Sequence, residues 1–385
     1  VKGDSAISTL QTRAFWQPRR AMLWVYLLVV VTCLPLLALT FAPFAAASPV
    51  ALGIALAGQL VLGVLLYTLI RWIDLFEKEP RTLLAAAFLW GVAMTALAGS
   101  PNGAIGQLVA KLGGHQFAVD WYAAIAGPTT EETLKALGVI AIVVIGREQV
   151  QRPLDGLVYG AMVGLGFQLA ENVTYVLSNA IENPNSDVQG GIGVLLARFL
   201  TGLATHTVYS GVVGLGIGYA LTRIDRSWAR RVMVALALFL GGWVLHFLWN
   251  SPLLGESGLV TVIVKQGLIV VFFILAIRYG ARHEYRWFVS TLRAEPAEMI
   301  TPAELGALRT RRSRRRARKH AAAQLGPPGP ALLRRLQDAQ LALAVAKDWA
   351  ADAATDPEVA AARKAITHAR ADLGRRGQEV SLGGR

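Results

Sequence analysis

A single cysteine, Cys33, in 385 residues excludes an internal disulfide, and with it any reading of the redox compartment. Charge is scarce too. Asp, Glu, Lys and Arg make up 16% of the chain, against roughly 25% in a soluble domain. There is no fixed-period repeat, and no His-Glu-x-x-His signature that would mark a helical zinc site at a glance. What fills the space is apolar: 54% of the residues are hydrophobic and mean hydropathy is +0.45. An ordinary soluble globular domain is therefore excluded.

The apolar runs are long enough to span a hydrocarbon core of about 30 Å. Eight spans are predicted, at about 21–43, 50–71, 82–100, 121–146, 154–179, 194–222, 230–250 and 259–279. Loops between them alternate in charge. One set carries Arg13, Arg19 and Arg20, then Arg71, Lys78 and Arg81, then Arg147 and Arg152, then Arg223, Arg226, Arg230 and Arg231. The other carries Lys111 and Arg198 beside Asp120, Glu182, Asp187 and Glu256. The positive-inside rule then places both termini in the cytoplasm, in agreement with an even span number. Ala45-Ala46-Ala47 resembles a signal cleavage site, but the run before it is too long for a signal core, so the first span is expected to stay as an anchor. The expected architecture is all-α: a basic cytoplasmic N-terminus over 1–20, a polytopic membrane helix bundle over 21–280, and a basic cytoplasmic tail over 281–385.

That tail holds 20 Lys and Arg against 11 Asp and Glu, and so +9 of the net +13. Its polybasic run, Arg311 to Lys319, is expected to hold anionic lipid, at about 1 kcal/mol per residue near the surface. Nucleic acid is not expected there, because no aromatic residues interleave the run. After the breaker Gly326-Pro327-Pro328-Gly329-Pro330, residues 331–353 and 357–373 read as a helical hairpin.

Four polar clusters interrupt the spans: Glu131-Glu132 with Lys135, Glu171-Asn172, His206, and His246 with Asn250. A charge at the centre of a membrane helix costs about 2.5–3.5 kcal/mol, so such groups face one another or water, usually for function. Glu131 and Glu132 lie four and three residues before Lys135, within reach on one helix. Thr129-x-x-Glu132 after Pro128 also reads as a capping box that opens a helix; it accounts for Glu132 but not for Glu131 or Lys135. In the fifth span Gly156, Gly160, Gly164, Phe167 and Glu171 share a face, and glycine spacing of this kind admits a neighbouring helix. His206 and His246 each have a polar partner one turn on, Ser210 and Asn250. Imidazoles with carboxylates are also zinc ligands, although here they are scattered over three spans. At 1.5 Å per residue, Glu131, His206, Glu171 and His246 lie about 15, 18, 12 and 6 Å in from the outer ends of their spans, all in the outer half of the bilayer.

Together these motifs resemble the PrsW-like intramembrane proteases, relatives of the CAAX prenyl protease and Abi membrane-protease group. Glu131-Glu132-x-x-Lys135 is similar to that family's EExxK motif. Phe167 to Asn172 is similar to its aromatic-x-x-x-Glu-Asn motif, and His206 and His246 to its histidine motifs. Phe76-Glu77-Lys78-Glu79-Pro80 resembles its acidic-proline loop, and the likeness runs over about 20–280. The resemblance implies an endopeptidase of the bacterial plasma membrane that cuts a single-pass membrane protein, of the anti-sigma-factor kind, near the extracytoplasmic face. It implies that Glu131 and Glu132 activate water and move protons. Glu171, His206 and His246 would hold a zinc ion or the oxyanion, and Lys135, Asn172 and Asn250 would orient substrate or intermediate. The rival reading is a proton-coupled transporter or channel, since relays use the same residue types. A conduction path, however, needs polar groups spread across the bilayer rather than gathered at one depth.

Overall fold

The computed structural model describes residues 14–255 and 258–383. Arg13 and Glu256, counted above among the loop charges, lie outside the described residues, and the N-terminal basic segment is described only from Ala14. Among the described residues the chain is all-helical, with thirteen α-helices and no strand. They form two compact units, one of residues 14–74 with 79–280, the other of Leu75–Lys78 with 281–383.

The first unit contains α1 (Ala21–Ala47), α2 (Pro49–Ile73), α3 (Arg81–Gly113), α4 (His115–Ile145), α5 (Pro153–Glu182), α6 (Asp187–Thr201), α7 (Thr205–Thr222), α8 (Trp228–Asn250) and the start of α9 (Leu259–Leu292). Ser48, Ser186 and Ser227 cap α2, α6 and α8 through their hydroxyls, each satisfying a backbone N–H at the first turn. Pro153 opens α5, where Asp155 accepts from the N–H groups of Gln151 and Arg152. The far end of α4 is closed by Arg20, which donates to the carbonyls of Val144 and Ile145 and pairs with Glu148.

Five of these helices, α1, α2, α3, α8 and α9, are long and apolar enough to cross a membrane; α6 and α7 qualify as a sixth when taken as one span bent by 41°. The expected eight is therefore approximate. Helices α4 and α5 have the length, 31 and 30 residues, but Glu131, Glu132 and Lys135 interrupt one, and Asp155 and Glu171 the other. Leu28, Val31 and Leu39 of α1 and Leu60 and Val61 of α2 are 64–70% exposed, a face that suits acyl chains and not water.

Helix α5 is the centre of the bundle, buried without a gap from Pro153 to Gln168. Between helices in lipid the hydrophobic drive is weak, so close backbone packing has to supply the attraction. The glycine stripe provides it: a Cβ on Gly156, Gly160 or Gly164 would lie 2.3, 2.1 or 2.1 Å from the backbone oxygens of Gly214, Ser210 and His206 on α7. The two helices thus touch backbone to backbone, and this crossing carries His206 to α5.

Two local expectations change. Helix α4 runs unbroken through Pro128, so Thr129 is not a cap: its hydroxyl donates to Ile125 O one turn back, 2.6 Å away. The predicted sixth span breaks at 202–204, where Gln168 donates to the carbonyls of Gly202 and Leu203 at 2.9 and 3.1 Å. His206 therefore stands in the first turn of α7, not within a continuous span.

The second unit holds the end of α9, then α10 (Pro302–Leu308), α11 (Arg311–Leu325), α12 (Gly329–Trp349) and α13 (Pro357–Gly383). Its core joins Phe288, Leu292, Ile300, Leu336, Leu343, Val359 and Ile366 to Phe76. Helices α12 and α13 follow the Gly-Pro breaker and pack on each other. The polybasic run is helical. Within it Arg314 is buried, donating to Leu308 O and Leu75 O and lying over the Phe76 ring, while Arg312, Arg315, Arg316 and Lys319 are exposed.

Candidate active site

Within the first unit, α4, α5, α7 and α8 bring their polar residues to one place. Glu131, Glu132 and Lys135 are buried on one face of α4, at 6%, 0% and 0% exposure. His206 and His246 come from α7 and α8, their rings edge to face at 4.9 Å, and Tyr209 stacks on His246 at 5.0 Å. A cavity of about 160 Å³ opens above them. Its wall includes Asn102, Glu131, Glu171, Arg198, His206, His246 and Asn250.

Each imidazole is held by a carboxylate on one nitrogen and turns the other toward Glu131. His246 Nδ1 lies 2.9 Å from Glu132 Oε1, and its Nε2 lies 3.9 Å from Glu131 Oε2. His206 Nε2 lies 3.1 Å from Glu171 Oε2, and its Nδ1 lies 3.8 Å from Glu131 Oε2. Glu131 Oε2 itself is buried and has no hydrogen-bond partner, a costly state unless something else binds it. Its other oxygen faces the Asn102 amide at 3.4 Å.

These observations test the fit of a metal. One ligand atom from each of Glu131, His206 and His246 lies within 4.8 Å of the other two. Two imidazoles and a carboxylate are a donor set for zinc, and a carboxylate behind each imidazole is the outer partner such ligands need. The two imidazole nitrogens stand 3.8 and 3.9 Å from Glu131 Oε2, so the three groups must draw together to share one ion. Lys135 competes for one donor: its ammonium donates to Glu132 Oε1 at 2.6 Å and lies 2.9 Å from His206 Nδ1. For that nitrogen to ligate, Lys135 must release it and keep Glu132. The residues fit a metal, with Glu131 in the trio where sequence reasoning placed Glu171. Glu171 stands behind His206 instead, its Oε2 also 2.5 Å from Arg198 Nη2.

Three other predicted residues sit away from where substrate would lie. Glu132 is sealed behind His246, with Lys135 and Ser210 on its oxygens. Lys135 is wholly buried, its ammonium 4.5 Å from the centre of the Phe167 ring. Asn172 turns from the cavity, donating to Gln59 Oε1 and accepting from Arg198 Nε. Asn250 does reach the cavity, where it donates to Ala123 O at 3.1 Å. Asn102 is not among the predicted site residues: it lies past Pro101, beyond the expected end of the third span, in a helix that continues to Gly113. Arg198, expected among the loop charges, also lines the cavity. An arginine inside an apolar, amphipathic run was the available signal.

Carboxylates and imidazoles enclosed by an apolar helical bundle, around a pocket large enough for water, make a candidate hydrolytic site within an integral membrane protein. The chain belongs to the PrsW family of intramembrane metalloproteases, which it matches over residues 79–277, about half of its length. It is similar to Protease PrsW of Geobacillus kaustophilus (strain HTA426), 26% identical over 227 residues that take in 57% of this chain and 85% of that one. It is also similar to Protease PrsW of Bacillus subtilis (strain 168), 25% identical over 167 residues covering 43% of this chain and 68% of the relative. No solved structure matches it. The protein is thus a membrane peptidase, and the family match stops before α10–α13.

Proposed function

We propose that this protein is an endopeptidase that cuts a single-pass, anti-sigma-factor-like membrane protein near the extracytoplasmic face of the bacterial plasma membrane. The observation that carries this is the meeting of Glu131, His206 and His246 at a polar cavity inside an apolar bundle. The positive-inside pattern supports a multi-pass chain with both termini in the cytoplasm, and His246, four residues before the end of α8 at Asn250, supports a cut toward the outer leaflet.

Glu131, His206 and His246 would hold the metal, a zinc ion by donor chemistry; bound there, it would polarise the scissile carbonyl and lower the pKa of a water. Glu131 offers two oxygens with different outlooks. Oε2 faces the histidines, and Oε1 faces Asn102 on the cavity wall, where it can accept a proton from the attacking water and return it to the leaving nitrogen. Glu132 and Glu171 fix the two ring orientations. Lys135 holds Glu132 in place. The amides of Asn102 and Asn250 are uncharged donors on the cavity wall that a peptide carbonyl could meet.

The exposed Arg312, Arg315, Arg316 and Lys319 of α11 support contact with anionic lipid.

The test is cleavage of a purified single-pass substrate in detergent, with and without a zinc chelator and with zinc added back. Cleavage that stops with the chelator and returns with zinc supports the reading. Full cleavage in chelator removes the metal from it, and no cleavage of any single-pass substrate removes the peptidase assignment of this cavity.

A further inference from the structure

Arg198 lies on α6, the helix that precedes the break, yet its guanidinium reaches the cavity wall. Its Nη2 is 2.5 Å from Glu171 Oε2, and its Nε is 2.6 Å from Asn172 Oδ1. Asn172 Nδ2 in turn lies 3.0 Å from Gln59 Oε1 on α2. Tyr175 flanks the guanidinium, its ring centre 4.3 Å away.

The polarity of this chain is fixed by chemistry. A guanidinium only donates. Asn172 must therefore accept through its oxygen, which leaves its nitrogen to donate, and Gln59 must accept. At the other end Glu171 Oε2 accepts from Arg198 and also lies 3.1 Å from His206 Nε2, so that ring nitrogen carries the proton. The ammonium of Lys135, 2.9 Å from Nδ1, requires the same tautomer from the opposite side. His206 is thus presented with a lone pair on Nδ1, the nitrogen that looks at Glu131.

We propose that Arg198 is a positioning residue: it anchors Glu171, through Asn172 and Gln59, so that His206 keeps one tautomer and one orientation toward Glu131. The inference rests on the reading of His206 as a site residue. Glu171 without Arg198 keeps a single partner, His206, and is free to turn with it. The Asn172–Gln59 segment gives Arg198 a fixed seat between α2, α5 and α6, which a lysine cannot occupy in the same way because it lacks the forked donors. Loss of an outer partner of a metal-binding histidine typically costs 10–100-fold in metal affinity or activity.

The experiment uses the full chain in detergent, as wild type, Arg198→Met, Arg198→Lys, Asn172→Leu and the Arg198→Met/Asn172→Leu double variant. Three quantities are read: zinc affinity by chelator competition, the ¹⁵N shifts of the His206 ring assigned against His206→Gln, and kcat with KM on a single-pass substrate. Arg198→Met is expected to lower zinc affinity and kcat by up to about 10-fold, the low end of what loss of the direct partner of a ligand costs, with KM little changed, and to shift the His206 ring signals away from the single Nε2–H form. Arg198→Lys is expected to recover part of this, and Asn172→Leu to add little once Arg198 is gone, since the two act in one chain. Unchanged ring signals and zinc affinity in Arg198→Met overturn the proposal, as does a fully additive double variant. If Arg198→Met does not fold, Arg198→Lys and Asn172→Leu carry the same comparison. The ring-nitrogen readout needs neither metal nor turnover, so it decides for or against Arg198 even where no substrate is cut.

Discussion

The two units bury ionic groups on opposite terms. In the bundle, Glu132 and Lys135 are sealed from solvent and satisfied only by each other and by site residues. In the tail unit, Glu295 pairs with Lys347 and Arg363, and Glu304 with Arg370, at sites that keep one foot in water. Packing differs in the same way. Helices α5 and α7 meet through glycine and backbone oxygen, whereas α12 and α13 meet through Leu343, Val359 and Ile366. The contrast follows from the solvent: apolar side chains gain little by leaving lipid, but a great deal by leaving water. An ion pair should accordingly be decisive in one unit and marginal in the other.

The sharpest break in that contrast is catalytic. Glu131→Gln and His206→Ala are each expected to abolish cleavage of a co-expressed single-pass substrate while protein levels hold, as judged by immunoblot of enzyme and product. Near-wild-type cleavage by both would move the chemistry elsewhere. Next comes Lys135→Met, which leaves Glu132 as a buried charge without its cation; removal of one partner from such a pair costs roughly 3–5 kcal/mol. Thermal unfolding in detergent should register it as a large drop in midpoint, and a drop no larger than that of a surface variant would count against a sealed pair. Gly160→Val is expected to force α5 from α7, at about 1–3 kcal/mol as for other overpacked contacts. Gly53→Val, where a Cβ meets nothing within 4 Å, supplies the control in the same thermal scan. In the tail, Arg370→Met should cost under about 1 kcal/mol.

The smallest effect is that of pH on the tail. Burial alone would raise Glu295, but hydrogen bonds from Arg363 and Lys347 outweigh it and hold the carboxyl below its ordinary value. A carboxylate with a depressed folded pKa contributes stability at neutral pH that is lost as pH falls below the ordinary glutamate range, about 4.3. Hydrogen exchange in α12 and α13 should therefore quicken modestly below that point, and less so in Glu295→Gln.

Much of this is legible along the chain. Seven of the eight predicted spans each fall on a single helix, the sixth is divided between α6 and α7, and Glu131, Glu171, His206 and His246 all reach the one cavity. Periodicity and the cost of charge in lipid suffice for that. What spacing does not provide is the rotation of one helix against another. It is this rotation that puts Glu131 rather than Glu171 between the histidines, turns Asn172 toward α2, and draws Arg198 in from α6. The capping box misleads for a related reason: Thr129 and Glu132 have the right spacing, but the helix has already begun at His115, fourteen residues before Thr129.

Gly164 has no functional group, yet the backbone oxygen of His206 rests where its Cβ would be. Hydrogen is the one substituent that leaves the imidazole at its present height above Glu131. A saturation screen scored by product release should then rank this silent position beside the histidine itself, and a chemist reading that ranking without the fold would mistake a spacer for a reagent.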